Sequence, residues 1–350
     1  MPIGFKYGRE ARVGLILSEK ECVVAGVTTT NKCAAAPVIY SRQILDGGRA
    51  SAIVVNSGNA NACTGEQGLK AAREMAFIAS RELGLEQGQV IVASTGKIGV
   101  PLDMETIRND IVAAGYELSR ENIDEVAQAI LTTDTRTKKI EVDLGDAKIV
   151  GIAKGSGMIH PDMATMLAFI MTDAKVEHAQ LQKALEEAVS ISFNMITVDG
   201  DTSTNDMCVV LANGMAGKVS STVFLRGLVK VCTYLAKEIA RDGEGATKLF
   251  KVQVNHAESH EEAVSAAKTI AGSPLVKTAV HGADPNWGRV AAAIGRSGAL
   301  IDPDTIAIKM EDLESEAPKI IVDLNMGESS AIAWGCDLTK GYIDINTKYN

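Results

Sequence analysis

The stretch Ile140-Glu-Val-Asp-Leu-Gly-Asp-Ala-Lys-Ile-Val-Gly-Ile152 decides how the chain folds, because it joins two strand-like runs through a short turn. Glycine and aspartate in the segment Leu144–Ala147 favour a tight turn. Two β-branched runs this close together predict an antiparallel hairpin. A series of βαβ units would place a helix between its strands instead. The stretch therefore indicates a sheet that contains antiparallel neighbours.

On both sides of this hairpin, short β-branched runs alternate with helical patterns. Ala52–Val55 and Cys208–Leu211 are typical of buried strands. In Glu66–Leu83, apolar residues recur three or four positions apart, which gives one buried helix face. The interleaving predicts an α/β (α+β) fold class, with layered mixed sheets and flanking helices.

The length of 350 residues suggests two domains, at about 100–200 residues per domain. The best boundary lies near Arg241-Asp-Gly-Glu-Gly245, where a long helical pattern ends in glycines before a new strand. We therefore predict a main catalytic domain over residues 1–242 and a smaller C-terminal α/β domain over residues 243–350.

Composition excludes several functional classes. With 35 basic and 44 acidic residues, the net charge is −9 and no Lys/Arg run is present, so we expect no nucleic-acid partner. The most apolar stretch, Met163–Met171, is too short to span a bilayer, so we expect no membrane association. Six scattered cysteines without a CxxC pair indicate a reduced, cytoplasmic protein.

Two polar segments each follow a strand-like run. Asn56-Ser-Gly-Asn-Ala-Asn-Ala-Cys-Thr-Gly65 could turn backbone N–H groups towards an anion. In Ala93-Ser-Thr-Gly-Lys-Ile-Gly99, the Thr95–Gly96 step could form an oxyanion hole from one hydroxyl and one backbone N–H. As bare patterns, both segments are more typical of ordinary turns.

A third segment runs from Lys154 through Gly-Ser-Gly to Ala164-Thr165 and on to an apolar strand. A threonine after a small residue at a strand start suits self-cleavage, in which its hydroxyl attacks the preceding carbonyl. Cleavage releases an N-terminal threonine that carries both nucleophile and base. Because Ala-Thr pairs are common, the spacing alone favours an ordinary strand start.

A fourth segment, Ser192–Asp206, clusters carboxylates with hydroxyl side chains. Asp199, Asp201 and Asn205 could bind a metal ion, but the glycine and distal glutamate of a calcium loop are missing. A loop whose side chains bond its own backbone is the favoured interpretation.

Taken in order, these segments resemble the ArgJ family, the glutamate/ornithine N-acetyltransferases of arginine biosynthesis. The resemblance spans nearly the whole chain. It rests on Thr28–Pro37, Asn56–Asn61, Ser94–Gly99, Thr132–Thr135, Lys154–Leu167, Val198–Asp206, Arg241–Gly245, Ala283–Arg289 and Ile345–Asn346.

The resemblance implies a DmpA/ArgJ-like layered fold and cleavage between Ala164 and Thr165, giving an alpha chain of residues 1–164 and a beta chain of residues 165–350. It also implies ping-pong transfer of an acetyl group from N2-acetyl-L-ornithine to L-glutamate. Thr165 would be the nucleophile, and Thr95 and Gly96 the oxyanion hole. The implied substrate-binding positions are Thr132, Lys154, Thr165, Glu244 and Asn346.

The implied assembly is a heterotetramer of two alpha and two beta chains, and we expect no cofactor and no metal ion. Whether acetyl-CoA is a second acetyl donor stays open. One alternative is an aminopeptidase or amidase with the same N-terminal nucleophile, in which water accepts the acyl group. A non-catalytic anion-binding module is the other. Lys154 with Glu244 could bind a zwitterion, which favours an amino-acid acceptor.

Overall fold

The computed structural model describes residues 1–160 and 166–348 of the chain. Its strands are β1 (Phe5–Glu10), β2 (Val13–Thr28), β3 (Arg49–Asn59), β4 (Val90–Lys97), β5 (Lys138–Asp143), β6 (Lys148–Lys154), β7 (Leu167–Lys175), β8 (Ile196–Thr197), β9 (Met207–Lys218), β10 (Leu249–Ala257), β11 (Ala307–Glu311), β12 (Lys319–Asp323) and β13 (Ser329–Cys336).

The helices alternate with these strands along the chain. They are α1 (Ala36–Gly47), α2 (Gly65–Leu83), α3 (Met104–Tyr116), α4 (Ile123–Ala129), α5 (His178–Ser190), α6 (Ser221–Arg241), α7 (His260–Ala271), α8 (Pro274–His281), α9 (Trp287–Gly295) and α10 (Lys340–Asn346). None of these helices is both long and apolar enough to cross a bilayer.

The larger sheet has the strand order β4-β3-β2-β9-β7-β6-β5, and β1 pairs with β2. Its pairing is mixed: β3 and β4 are parallel, as are β7 and β9, whereas β5 and β6 are antiparallel. The predicted hairpin is confirmed, with Val142 opposite Ile149. Strand β7, from the chain after residue 165, lies between β6 and β9.

Both faces of the larger sheet are buried because its strands alternate apolar side chains between two clusters. In β3, Ile53 and Val55 belong to one cluster, which also contains Val38 of α1. Ala52 and Val54 belong to the other cluster, which α2 and α3 complete. The alternation of period two thus gives helix-covered layers on a mixed sheet, and the predicted fold class is confirmed.

The smaller sheet has the strand order β11-β12-β10-β13-β8 and is also mixed. Strand β10 runs parallel to β12 and antiparallel to β13. One apolar cluster joins this sheet to its helices, with Val252 and Val254 from β10 and Ile270 from α7.

The described residues form two compact units. The first comprises residues 1–155, 166–190 and 202–235, and holds the larger sheet. The second comprises residues 156–160, 191–201 and 236–348, and holds the smaller sheet. The second unit is the smaller one and contains most of the C-terminal part of the chain. A domain boundary between residues 242 and 243 stays a prediction.

Candidate active site

The polar segments after β3 and within β4 lie side by side in the first unit. Because the two strands are parallel, their carboxyl ends meet at the same sheet edge. Ser57 is opposite Thr95, and Gly58 is opposite Gly96. Thr95 and Gly96 are therefore strand residues and not part of an ordinary turn.

Gly96 is a position where only glycine fits. Its φ of +133° lies in a region that side chains other than glycine rarely adopt. A Cβ atom there would lie 2.2 Å from the carbonyl carbon of Gly58. The sheet therefore requires a bare backbone beside Thr95, because the neighbouring β3 backbone fills the space that a side chain would take.

Asn205, a residue of the predicted metal alternative, ties this edge to the loop before β9. Its side-chain amide donates hydrogen bonds to the carbonyl oxygens of Ala60 (2.6 Å) and Ser94 (2.8 Å). The Ser94 hydroxyl donates to Asn56 Oδ1 at 2.6 Å. These buried bonds fix the residue before Thr95 and the neighbouring segment from Asn56 to Ala60.

A group of five side chains, here called the Lys154 cluster, lies in the first unit and consists of Thr95, Thr132, Asp134, Lys138 and Lys154. Lys154 Nζ donates to Thr132 Oγ1 at 2.8 Å and to Thr95 Oγ1 at 3.2 Å. The structure thus brings three of the predicted site residues together.

Asp134 is the member of the Lys154 cluster that the sequence analysis did not single out. Its Oδ1 accepts from Lys138 Nζ at 2.7 Å and from the Gly155 N–H at 2.6 Å. Its Oδ2 accepts from the Thr132 N–H at 3.2 Å and lies 3.9 Å from Lys154 Nζ. Burial alone would raise the pKa of Asp134, but the charges of Lys154 and Lys138 outweigh it and hold that pKa at about 2. The carboxylate is therefore ionised at neutral pH.

In the second unit, Glu244 and Asn346 form another contact that the sequence predicted only as two separate positions. Asn346 Nδ2 donates to Glu244 Oε2 at 2.8 Å. The Glu244 N–H donates to the Ser156 carbonyl at 2.9 Å, and Gly157 lies against the Glu244 carboxyl group. We call Glu244, Asn346, Gly157 and Gly245 the Glu244 cluster.

Gly245 sets the position of α10, which carries Asn346. Its φ is +70°, and a Cβ atom there would lie 2.3 Å from the Tyr342 nitrogen. Thr339 caps the helix by accepting from the Gly341 N–H at 2.9 Å, and it donates to the Gly245 carbonyl at 2.6 Å. The glycine-rich turn after α6 thus holds this helix against Glu244.

Asp199, also in the second unit, accepts hydrogen bonds from the backbone. Its carboxylate accepts from the N–H groups of Met158 (2.6 Å) and Ile159 (2.8 Å). Burial raises the pKa of Asp199, and these backbone bonds oppose the increase. Met158 and Ile159 lie outside the loop of Asp199, whereas the bond that Asp199 accepts from the Asp201 N–H at 3.3 Å lies within the loop, as the self-bonding interpretation predicts.

The predicted nucleophile Thr165 and the predicted cleavage partner Ala164 lie outside the described residues. The described chain resumes at Met166, and β7 begins at Leu167, which pairs with Lys154 of β6. The chain that follows the predicted cleavage site therefore starts beside the Lys154 cluster.

Comparison of the sequence with known proteins identifies the family of this chain. The sequence model of the ArgJ family matches residues 1–350. The chain belongs to the ArgJ family. This confirms the resemblance seen in the motifs, and with it the predicted class of enzyme, an acetyltransferase of arginine biosynthesis.

Individual members of the ArgJ family are similar in sequence to this chain over almost its whole length. The arginine biosynthesis bifunctional protein ArgJ of Symbiobacterium thermophilum is 49% identical, over 96% of this chain and 92% of that protein. The protein of the same description from Thermotoga neapolitana is 45% identical, over 100% of this chain and 99% of that protein.

A solved structure is also similar. The crystal structure of the arginine biosynthesis bifunctional protein ArgJ from Bacillus halodurans is 44% identical, with a TM-score of 0.51. The match covers 99% of that crystallised chain but 52% of this ArgJ-family chain.

Proposed function

We propose that this chain moves the acetyl group of N2-acetyl-L-ornithine to L-glutamate through an acetyl-Thr165 intermediate. The observation that carries the proposal is the Lys154 cluster, in which Lys154 Nζ bonds the hydroxyls of Thr95 and Thr132. This cluster lies beside Leu167, two residues after the proposed nucleophile.

Maturation comes first in this scheme. The Thr165 hydroxyl attacks the Ala164 carbonyl, the acyl group moves from nitrogen to oxygen, and water hydrolyses the ester to free a new amine. The solved Bacillus halodurans chain supports cleavage, since 52% of this chain covers 99% of it. A chain of about half length is what a break near residue 164 of 350 would give.

Transfer then uses the freed amine, which titrates near pH ~8, as the base. The Thr165 hydroxyl attacks the acetyl carbonyl of acetyl-ornithine and gives its proton to this amine. The tetrahedral oxyanion collapses, the C–N bond breaks, and ornithine leaves with that proton. Glutamate's amine attacks the acetyl-threonine ester in the reverse sequence, which releases acetyl-glutamate and restores the hydroxyl.

The oxyanion would be stabilised by the Thr95 hydroxyl and the Gly96 N–H. In this role the donors must be fixed before the charge develops. The β3–β4 register and the bonds of Asn205 provide that rigidity.

The substrates carry charges that match the proposed binding positions. The Lys154 ammonium suits an α-carboxylate, and Thr132 lies against it. The carboxylate of Glu244, with Asn346 beside it, suits the side-chain ammonium that ornithine has and glutamate lacks. We also propose that acetyl-CoA is a second donor to glutamate, which the description of the relatives as bifunctional supports.

The first experiment examines the covalent state of the purified protein. Denaturing mass spectrometry should show residues 1–164 and 165–350 as separate pieces. Native mass spectrometry should show two copies of each together. Thr165→Ala should stay uncleaved and inactive, whereas Thr165→Ser, which keeps a hydroxyl, should be cleaved. A fully active, uncleaved wild-type chain would contradict the proposed mechanism.

The second experiment separates the donors and acceptors. We expect acetyl-glutamate to form from acetyl-ornithine plus glutamate, and a mass increase of one acetyl group on the 165–350 piece when glutamate is omitted. Parallel assays with acetyl-CoA test the second donor. Release of acetate in place of acetyl-glutamate would favour the amidase alternative.

A further inference from the structure

The segment that follows β13 contacts the turn that carries Glu244, within the second unit. A Cβ atom at Gly243, the residue before Glu244, would lie 2.6 Å from Cys336 Sγ. After Glu244, the Gly245 carbonyl accepts a hydrogen bond from the Thr339 hydroxyl at 2.6 Å. The backbone on both sides of Glu244 is therefore in contact with a segment that is distant in sequence.

Asp337 joins these two segments through its side chain and its backbone. Its Oδ1 accepts hydrogen bonds from the Thr247 N–H at 2.7 Å and the Lys248 N–H at 2.8 Å. Its Oδ2 accepts from the Thr247 hydroxyl at 2.6 Å and lies 2.9 Å from His281 Nδ1. The Asp337 N–H donates to the Lys248 carbonyl at 3.1 Å. One carboxylate thus binds the chain directly after the Glu244 turn with both of its oxygens.

The side chain of Asp337 is fully buried. Burial alone would raise the pKa of Asp337, but the hydrogen bonds from Thr247, Lys248 and His281 outweigh it and lower that pKa below its usual value. The carboxylate is therefore ionised at neutral pH, and hydrogen bonds to an ionised acceptor are the stronger kind. Removal of the carboxylate would leave two N–H groups without this acceptor and would release the turn from the segment after β13.

Both members of the contact between Glu244 and Asn346 depend on this connection. The Ala246 N–H donates to the Gly243 carbonyl at 2.8 Å, which closes a turn around Glu244. The segment that begins at Asp337 leads into α10, where Asn346 Nδ2 donates to Glu244 Oε2 at 2.8 Å. Asp337 therefore fixes the turn that carries one partner against the segment that carries the other.

We propose that Asp337 is a positioning residue, which holds Glu244 and Asn346 in the geometry that binds the side-chain ammonium of acetyl-ornithine. The inference rests on the proposed acetyl transfer. Asp337 acts through Glu244 and not through its own charge, because its side chain is buried and both of its oxygens bind the protein. Its loss should therefore weaken the binding of acetyl-ornithine and leave the chemical step unchanged.

The test compares two substitutions of Asp337. Asp337→Ala removes both acceptor oxygens, whereas Asp337→Asn removes the charge and keeps one oxygen for the two N–H groups. The matched control is Asp323→Ala, which removes a carboxylate of the same smaller sheet that binds His256. Thermal unfolding midpoints and the cleaved fraction are measured first, and kcat is expressed per cleaved chain. KM is then measured for acetyl-ornithine and, in the reverse reaction, for acetyl-glutamate.

We expect Asp337→Ala to raise KM for acetyl-ornithine by about tenfold, because a positioning residue contributes no more than the charge-assisted bond that it positions. Its kcat and its KM for acetyl-glutamate should stay within about threefold of wild type. Asp337→Asn should stay within about threefold for both substrates, and Asp323→Ala should match wild type. The double variant Asp337→Ala/Glu244→Gln should show the KM of Glu244→Gln alone, since residues that act through one contact are not additive.

Four results would overturn the inference. An unchanged KM for acetyl-ornithine in Asp337→Ala would make the residue dispensable, and equal increases for both substrates would indicate general disruption. Additive increases in the double variant would separate Asp337 from Glu244. A KM in Asp337→Asn as high as in Asp337→Ala would mean that the charge of Asp337 acts directly.

If Asp337→Ala does not fold, Thr247→Val decides, because it removes one hydrogen bond to Asp337 and keeps the backbone bonds. It should raise KM for acetyl-ornithine alone, by about threefold, near the value of one neutral hydrogen bond. A wild-type KM in Thr247→Val would then overturn the inference. Failure of the proposed function would look different, because wild type itself would form no acetyl-glutamate.

Discussion

The Lys154 cluster and the Glu244 cluster differ in their exposure to solvent and in the elements that position their side chains. The first is buried and holds two lysines around one carboxylate, with Thr95 9% and Lys154 8% exposed. The second is more exposed to solvent: Glu244 is half-buried, and Asn346 is exposed on a helix of seven residues. Strands position the first, whereas glycines with special backbone geometry position the second.

This contrast indicates a division of labour. Hydrogen bonds in a buried setting are stronger and need no rearrangement when charge develops, which suits the chemical step of the proposed transfer. A half-buried carboxylate is partly screened by water and contributes less, which suits the proposed choice between substrates. Changes at Thr95 should therefore act on kcat, and changes in the Glu244 cluster should act on KM.

The largest effect should come from Thr95→Ala. It removes one donor of the proposed oxyanion hole, and we expect kcat to fall by about 10²–10³ with little change in KM. Steady-state rates of acetyl-glutamate formation measure this effect. The control is Thr222→Ala, which truncates an exposed threonine at the start of α6. Retention of full kcat in Thr95→Ala would remove this residue from the chemical step.

An intermediate effect should come from Glu244→Gln. The variant keeps the shape and the contact with Asn346 but removes the charge, so KM for acetyl-ornithine should rise about tenfold, near the lower end for a charge-assisted hydrogen bond. The KM for acetyl-glutamate in the reverse reaction is the internal control, because glutamate brings no side-chain ammonium. Equal increases for both substrates would contradict the assigned role.

The smallest effect should come from Gly157→Ala. A Cβ atom there would lie 2.4 Å from the Glu244 carboxyl carbon, so the flexible Glu244 side chain must move. We expect KM for acetyl-ornithine to rise about threefold at constant kcat, since a shifted carboxylate still attracts the ammonium. At Gly47 an added Cβ would meet nothing within 4 Å, so Gly47→Ala is the matched control. A loss of kcat in Gly157→Ala would contradict the expectation that changes in the Glu244 cluster act on KM alone.

Local patterns predicted much of the fold. The hairpin around Leu144–Ala147 and the face of α2 follow from residue periodicity, and the structure confirms both. Strand β1 was missed because Lys6, Arg9 and Glu10 hide its alternation, and it pairs with β2 alone in the sheet. Helix α1 was missed because β-branched residues follow its first-turn proline.

The site was harder to predict because its contacts are distant in sequence. Thr95 and Lys154 are 59 positions apart, and they belong to strands β4 and β6, between which four other strands lie in the larger sheet. The sequence around Asp134 offers one indication of an ion pair, a lysine four positions later. That spacing is equally typical of a solvent-exposed ion pair within a helix. The burial of Asp134 depends on the surrounding strands, which no local pattern encodes.

The strand order of the larger sheet has a consequence for how the mature protein refolds. Strands β9 and β7 follow residue 165, yet they lie between β2 and β6, which precede it. Before cleavage, an unfolded chain can return to this arrangement by itself. After cleavage before Thr165, refolding would become an encounter between two molecules, with β7 and β9 inserted between strands of the other piece. Its rate would then fall with dilution, so the lifetime of the mature enzyme would depend on how slowly it unfolds.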